Sequence, residues 1–450
     1  MHDDLRETVD RLIPDLHRDL EALVRIPSVS APGYDPSEVR RSAEFTLELL
    51  ESAGCSAVQT LEIAGAHPAV FGEIRAPEGA PTVLLYAHHD VQPPGPAEDW
   101  DGAAFEPFVR DGRMYGRGTS DDKAGIIVHT GAIQAHHGNP PVGVKILVEG
   151  EEEIGSAHLG TFLDRYEELL AADVIVIADV GNWAKGTPTL TTSLRGLVDC
   201  TVEVRTLDNA VHSGGFGGAV PDAITTLARL LATLHSDNGE VAVPGLVAVD
   251  DTSLHLTEDE LRTQAEAVAG LELIGTGSIT SRLWTQPAIS VVAIDAPPLS
   301  EAINQLVPVA RAKVSLRIAP GDDPQRAMRA LVGHLENHVA WGAEVTVTPG
   351  AVGEAIVLDT EGPACDAFRE AFATAWGTET QEMGVGGSIP FVADFAHRYP
   401  GAAILLTGVA DPASRAHGPN ESQDLNELRN GVLAEAIALR LLAPAAASTP

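Results

Sequence analysis

Apolar residues recur at helical spacing near the start of the chain, at Leu5, Val9, Leu12, Leu16, Leu20 and Leu23. They predict an amphipathic helix over residues 5–24, with Pro14 as an irregularity. Asp35-Pro36-Ser37-Glu38 predicts a second helix start: a capping side chain, a proline in the first turn and an acid three positions on. That helix should run to about residue 53 and stop at Gly54. Continuous apolar runs then mark strands at 69–74, 82–87, 142–148 and 174–178, with a helix over 125–137 between two of them. Such runs alternating with helices predict an α/β fold: a mostly parallel sheet covered by helices. Ligands of such sheets gather at the carboxyl ends of the strands.

From about Ser193 the pattern changes. Residues 197–204 and 313–318 alternate as half-exposed strands do, and 222–234 and 325–338 read as amphipathic helices. The α/β character returns near Ala355, with a helix over 365–376, a strand over 402–407 and a closing helix over 426–442. The expected organisation is therefore a discontinuous domain, 1–192 and 355–450, carrying an inserted α+β domain over 193–354. The tail from 443 to 450 reads as disordered.

The 450 residues are 44% hydrophobic and 4% aromatic, and carry 29 basic against 64 acidic side chains, a net charge of −35. Two globular domains fit this length. Such a negative field argues against nucleic acid and anionic membranes as partners. Cys55, Cys200 and Cys365 are isolated, which fits a reducing compartment. The N-terminus lacks a hydrophobic signal core and no apolar run approaches a bilayer span, so the chain reads as cytoplasmic.

One segment stands out chemically. VKILVEGEEEIGS ends an apolar strand in Glu149, Glu151, Glu152 and Glu153, with Lys145 the only basic residue nearby. Clustered carboxylates at a buried strand end are costly without positive charge among them, and metal ions supply it economically. Three more segments follow the same grammar of an apolar strand or Gly-rich turn and then His or acid: His88, His89 and Asp90; Asp121 and Asp122; and Asp179. His417, in SRAHGPNE, is a fifth candidate. Catalytic zinc sites take imidazole nitrogen and carboxylate oxygen and keep a position open for water. Taken singly, each signal also fits a turn, a cap or a solvated helix start.

The motifs YAHHDVQPPG, YGRGTSDDKAG, VEGEEEIGS, ADVGNW, LRG, HSGGFGG, GGSIP and AHGPNE, in this order, resemble those of the dinuclear-zinc metallopeptidases. That family includes carnosinase-like dipeptidases, glutamate carboxypeptidases, aminoacylases and succinyl-diaminopimelate desuccinylases. Asp-Val-Gln-Pro after His89 is more similar to the carnosinase and cytosolic dipeptidase branch. The resemblance implies a zinc-exopeptidase-like catalytic domain with a lid and dimerisation domain, and two Zn²⁺ per subunit, replaceable by Mn²⁺ or Co²⁺. It implies that His88 and Asp179 hold one zinc, Glu153 and His417 the other, and that Asp121 bridges them through a cis Asp121–Asp122 segment. Asp90 would orient His88, and Glu152 would be the general base. His89, Glu149 and Glu151 fall at non-ligand positions and read as local structure, Glu149 and Glu151 shaping and solvating the turn.

The resemblance further implies that His212 reaches a neighbouring subunit's site and donates to the oxyanion, which makes a homodimer through the lid. Arg317 would clamp a substrate carboxylate, and Ser388 of Gly386-Gly387-Ser388 would contact substrate. Two positions depart from the carnosinase-like pattern: Val385 replaces an acid, and Asn304-Gln305 replaces Lys-Thr ahead of Leu306-Val307-Pro308. Both fall in the substrate region. The implied activity is a dipeptidase for small peptides with a free carboxylate. An N-acyl-amino-acid deacylase and a catalytically dead binding homologue are the alternatives.

Overall fold

In a computed structural model of the chain, which describes residues 2–250 and 253–444, the first helix spans Asp3–Val24. It runs through Pro14 without a break, because Pro14 stands on the exposed face, where water can take the bond its missing N–H leaves. Leu5, Val9, Leu16, Leu20 and Leu23 are buried, as their spacing demands. The second helix, Pro36–Ala53, is capped by Asp35, whose carboxylate accepts from the Ser37 N–H at 2.9 Å. Gly54 ends it at φ 110°, and a Cβ there would lie 2.7 Å from the Gly138 Cα, so the stop also permits a close chain crossing.

Two compact units form. One comprises Met1–Thr192, Leu358–Met383 and Phe391–Pro450, and the other Ser193–Val357 with Gly384–Pro390. The inserted domain read from sequence as 193–354 thus corresponds to a unit that extends to Val357 and includes a later segment bearing Ser388. The tail expected to be disordered, 443–450, reaches past the described residues, since 445–450 lie outside them.

In the first unit, strands Gly143–Glu149, Thr82–His88, Val174–Ile177 and Ala403–Leu406 lie side by side and parallel. Antiparallel strands flank them: Ala69–Ile74 beside Gly143–Glu149, then Gln59–Leu61. The inner strands are apolar throughout because they are covered on both faces. Helices Asp3–Val24, Lys123–Ala135 and Leu425–Leu441 pack against one another. Lys123–Ala135 is buried along almost its whole length. Parallel strands share one carboxyl edge, and His88, Glu149 and Asp179 arrive there together.

The second unit is a four-stranded antiparallel sheet in the order Ala288–Asp295, Val309–Ile318, Gly196–Arg205, Glu344–Gly353. Along Val309–Ile318, Ala310, Ala312, Val314, Leu316 and Ile318 face the core, under helices Ala223–Ala232 and Pro324–His338. The two-residue period leaves Arg311, Lys313, Ser315 and Arg317 on the opposite face.

Candidate active site

The first unit brings six of the sequence-predicted residues together. His88 closes its strand and is fully buried. Its Nε2 lies 3.1 Å from Asp121 Oδ1 and 3.7 Å from Asp179 Oδ1. On the other side, His417 Nε2 lies 2.9 Å from Asp121 Oδ2 and 3.1 Å from Glu153 Oε2. The two oxygens of Asp121 therefore face two different histidines. Ligand atoms of His88, Glu152 and Asp179, and of His88, Asp121 and Glu153, form two groups, each within 4.8 Å. The Asp121–Asp122 peptide is cis.

Electrostatics test whether this donor set suits cations. Burial and the nearby Asp179 carboxylate push the Glu152 carboxyl up to about 9. Burial likewise raises Asp179 and Glu153. Contacts with Asp121 and Glu153 raise His417 to about 10, while His88 is raised well above its ordinary value by Asp121, Asp179 and Asp90 against the effect of burial. Two imidazoles surrounded by four carboxylates leave negative charge in excess. Divalent cations offset it, and imidazole nitrogens with carboxylate oxygens are donors that hold them.

Several supports were not apparent in the sequence. His88 Nδ1 sits 3.0 Å from the main-chain oxygen of Asp90 and 3.4 Å from its carboxylate, so the main chain is the nearer orienting partner. The Asp90 carboxylate mainly anchors the glutamate turn, accepting from the N–H groups of Glu152 and Glu153 at 3.1 Å each and from Ser30 Oγ at 2.6 Å. Gln92 donates from Nε2 to Glu153 Oε2 at 2.8 Å, fixing that carboxylate. Glu149 and Glu151 do not solvate the turn: both are buried. Glu149 accepts from the Tyr86 hydroxyl at 2.6 Å. Glu151 accepts from the His67 N–H and meets His158 Nδ1, each at 2.8 Å. His89 is structural, its Nε2 2.9 Å from the Pro68 carbonyl.

Glu421 is the support least visible in the sequence. Fully buried, it accepts from Arg117 Nη1 at 2.6 Å, the Gly118 N–H at 3.0 Å, the Ser120 N–H and Oγ at 3.0 and 3.1 Å, and the Asp121 N–H at 3.1 Å. It shapes the turn that presents Asp121. Arg117 also donates to the His417 carbonyl at 3.0 Å, so one ion pair positions both. Lys123 Nζ donates to the Leu23 and Ile26 carbonyls at 2.8 Å each, tying the turn to the first helix, and burial lowers the ammonium to about 7. The quoted motif AHGPNE contains Glu421, but nothing local distinguishes it from a surface acid.

His212, Arg317 and Ser388 lie in the second unit. His212 is exposed and pairs with Gln305 across a short two-stranded ladder. Arg317 is half-buried, with burial lowering its guanidinium. Among the described residues, Ser388 Oγ has no hydrogen-bond partner. Arg195, in the LRG motif, braces the neighbouring turn through Nε to the Gly386 carbonyl at 3.0 Å. A Cβ at 386 would lie 2.6 Å from the Leu283 main-chain oxygen, which makes glycine necessary there.

A carboxylate whose two oxygens face two histidines at the carboxyl edge of a parallel sheet suits metal-dependent hydrolysis. The model of "Peptidase family M20/M25/M40" matches residues 84–440. The chain belongs to this family and is a hydrolase acting on peptide bonds. It is 34% identical over 439 residues to a cysteinylglycine-S-conjugate dipeptidase of Corynebacterium striatum, covering 94% of this chain and 95% of that one. It is 27% identical to a human Beta-Ala-His dipeptidase, over 79% of this chain and 73% of that one. The fold matches human carnosine dipeptidase 1 with a TM-score of 0.84 at 24% identity, covering 98% of each chain. The resemblance to the carnosinase-like branch thus holds. Among the described residues, no helix is long and apolar enough to cross a membrane.

Proposed function

We propose that the chain is a metal-dependent dipeptidase that hydrolyses dipeptides or small peptides with a free C-terminal carboxylate. In this reading His88 and Asp179 hold one Zn²⁺, Glu153 and His417 hold a second, and Asp121 bridges the pair. The observation that carries it is the divided Asp121 carboxylate, one oxygen toward His88 and the other toward His417. The bound ions would supply Lewis acidity and a water acidic enough to deprotonate near neutral pH.

The remaining chemistry belongs to side chains. Glu152 lies beside His88 and Asp179. It takes a proton from the attacking water and returns it to the departing amine. Asp90 holds the Glu152 N–H, so the base cannot drift from the turn. Arg317 binds the substrate carboxylate, Ser388 offers its hydroxyl to substrate, and His212 donates to the developing oxyanion of a partner subunit's reaction. A homodimer through the second unit agrees with the exposed apolar residues Val292 and Ile294 on its edge strand. Cys55, Cys200 and Cys365 are buried free thiols, in keeping with a cytoplasmic enzyme.

A panel of dipeptides, N-acetyl-amino acids and N-succinyl-amino acids, offered to metal-loaded protein, tests the assignment. Hydrolysis of dipeptides is the expected result. Turnover confined to the N-acyl compounds would assign a deacylase instead.

A further inference from the structure

We propose that the backbone N–H of Gly214 locks His212 into the tautomer that carries its proton on Nε2. His212 is thereby fixed as a hydrogen-bond donor before substrate arrives. The catalytic consequence rests on the reading of His212 as the oxyanion donor; the tautomer follows from geometry alone.

The Gly214 N–H donates to His212 Nδ1 at 3.0 Å. A main-chain amide can only donate, so Nδ1 must present its lone pair. A neutral imidazole has one N–H, which is then on Nε2. A Cβ at 214 would lie 2.9 Å from His212 Cε1 and 3.2 Å from Nδ1, so the exposed ring would have to shift to make room for a side chain there.

The other end of the histidine is held independently. Val211–His212 pairs antiparallel with Gln305–Leu306, and the Ser213 N–H donates to the Asn304 carbonyl at 3.1 Å. Backbone and ring are thus both oriented, although the side chain is exposed. A donor to a developing oxyanion is effective to the extent that it is oriented beforehand. Gly214 is therefore a positioning residue for His212.

The direct test is NMR of the full-length, metal-loaded protein labelled with ¹⁵N at histidine and glycine, at a pH where the ring is neutral. The expected result is an unprotonated Nδ1, a protonated Nε2 and an N–N coupling across the hydrogen bond from Gly214 to His212. A proton on Nδ1, or no coupling, overturns the lock without any variant having to fold. Gly214→Pro deletes the amide proton and should raise the ratio of Nδ1–H to Nε2–H rings about fivefold, the worth of one ordinary hydrogen bond. Its kcat should fall by up to about twofold, the loss of Nε2–H rings that such a shift allows, with KM unchanged, and an unchanged kcat overturns the positioning role. Full activity in His212→Ala would overturn the oxyanion reading alone, leaving the tautomer measurement to decide the lock.

Discussion

Replacing Glu421 by glutamine keeps the shape of the side chain and removes its charge. Five donors converge on the two carboxylate oxygens: Arg117 and Gly118 on one, and the Ser120 N–H, Ser120 Oγ and Asp121 N–H on the other. A glutamine oxygen can keep the second set only by turning its NH₂ toward Arg117 and Gly118. Two buried donors then lose their acceptor, one of them a guanidinium that is 1% exposed. Each buried group left unsatisfied costs about 1–3 kcal/mol, and breaking a buried ion pair costs about 3–5 kcal/mol. Chelator-treated Glu421→Gln should lose stability in that range, read from its urea denaturation midpoint. The same change loosens the turn carrying Asp121 and, through Arg117, the loop carrying His417. Loss of such supporting bonds lowers metal affinity about 10–100-fold. Competition against a chromophoric chelator measures this. Affinity within twofold of wild type, with an unchanged denaturation midpoint, would refute the role given to Glu421.

Glu152→Gln should lower kcat by about 10²–10⁴, the usual range for loss of a general base, while metal content stays at the wild-type level. Arg317→Met should raise KM for dipeptides about tenfold or more with a smaller effect on kcat, since it removes a charge-assisted contact to the substrate carboxylate. The native protein should resist thiol reagents at pH 8, because burial raises Cys55 to about 12 and Cys200 to about 11; urea should expose all three cysteines to titration. Burial disfavours the charged form of His129, but Glu435, 2.9 Å away, outweighs this and raises its pKa. A raised folded pKa means the pair's stabilisation is complete below the unfolded value near 6.5 and fades as pH rises through the folded one. The stability gap between wild type and His129→Gln should therefore be larger at pH 6 than at pH 9, and a gap that widens toward pH 9 would contradict it.

The main elements of the fold could be read from local pattern wherever one segment carried the whole signal. The cap at Asp35, the stop at Gly54 and the strand Ala69–Ile74 fall where spacing placed them. The histidines and acids after the inner strands were visible as candidates because parallel strands share a carboxyl edge. Contacts between distant segments were not readable. Glu421 and the Asp121 N–H it holds are 300 residues apart, and nothing near Glu421 marks it as buried. Glu149 and Glu151 looked like solvated acids because their partners, Tyr86, His67 and His158, are recruited by the sheet and the loops around it. Gly384–Pro390 joins the second unit from a stretch that looked continuous with the first, since Arg195 bonds the Gly386 carbonyl from 191 residues away.

In the proposed function, two cations held by His88, Asp121, Glu153, Asp179 and His417 make this chain a dipeptidase. Titrating the chelator-treated protein with Zn²⁺ or Mn²⁺ while following hydrolysis of a dipeptide tests it most directly. Activity should be absent without metal and reach its plateau at two equivalents per chain, with Asp121→Asn failing to respond. Dipeptide hydrolysis that persists without metal, or a plateau that Asp121→Asn also reaches, would contradict the account.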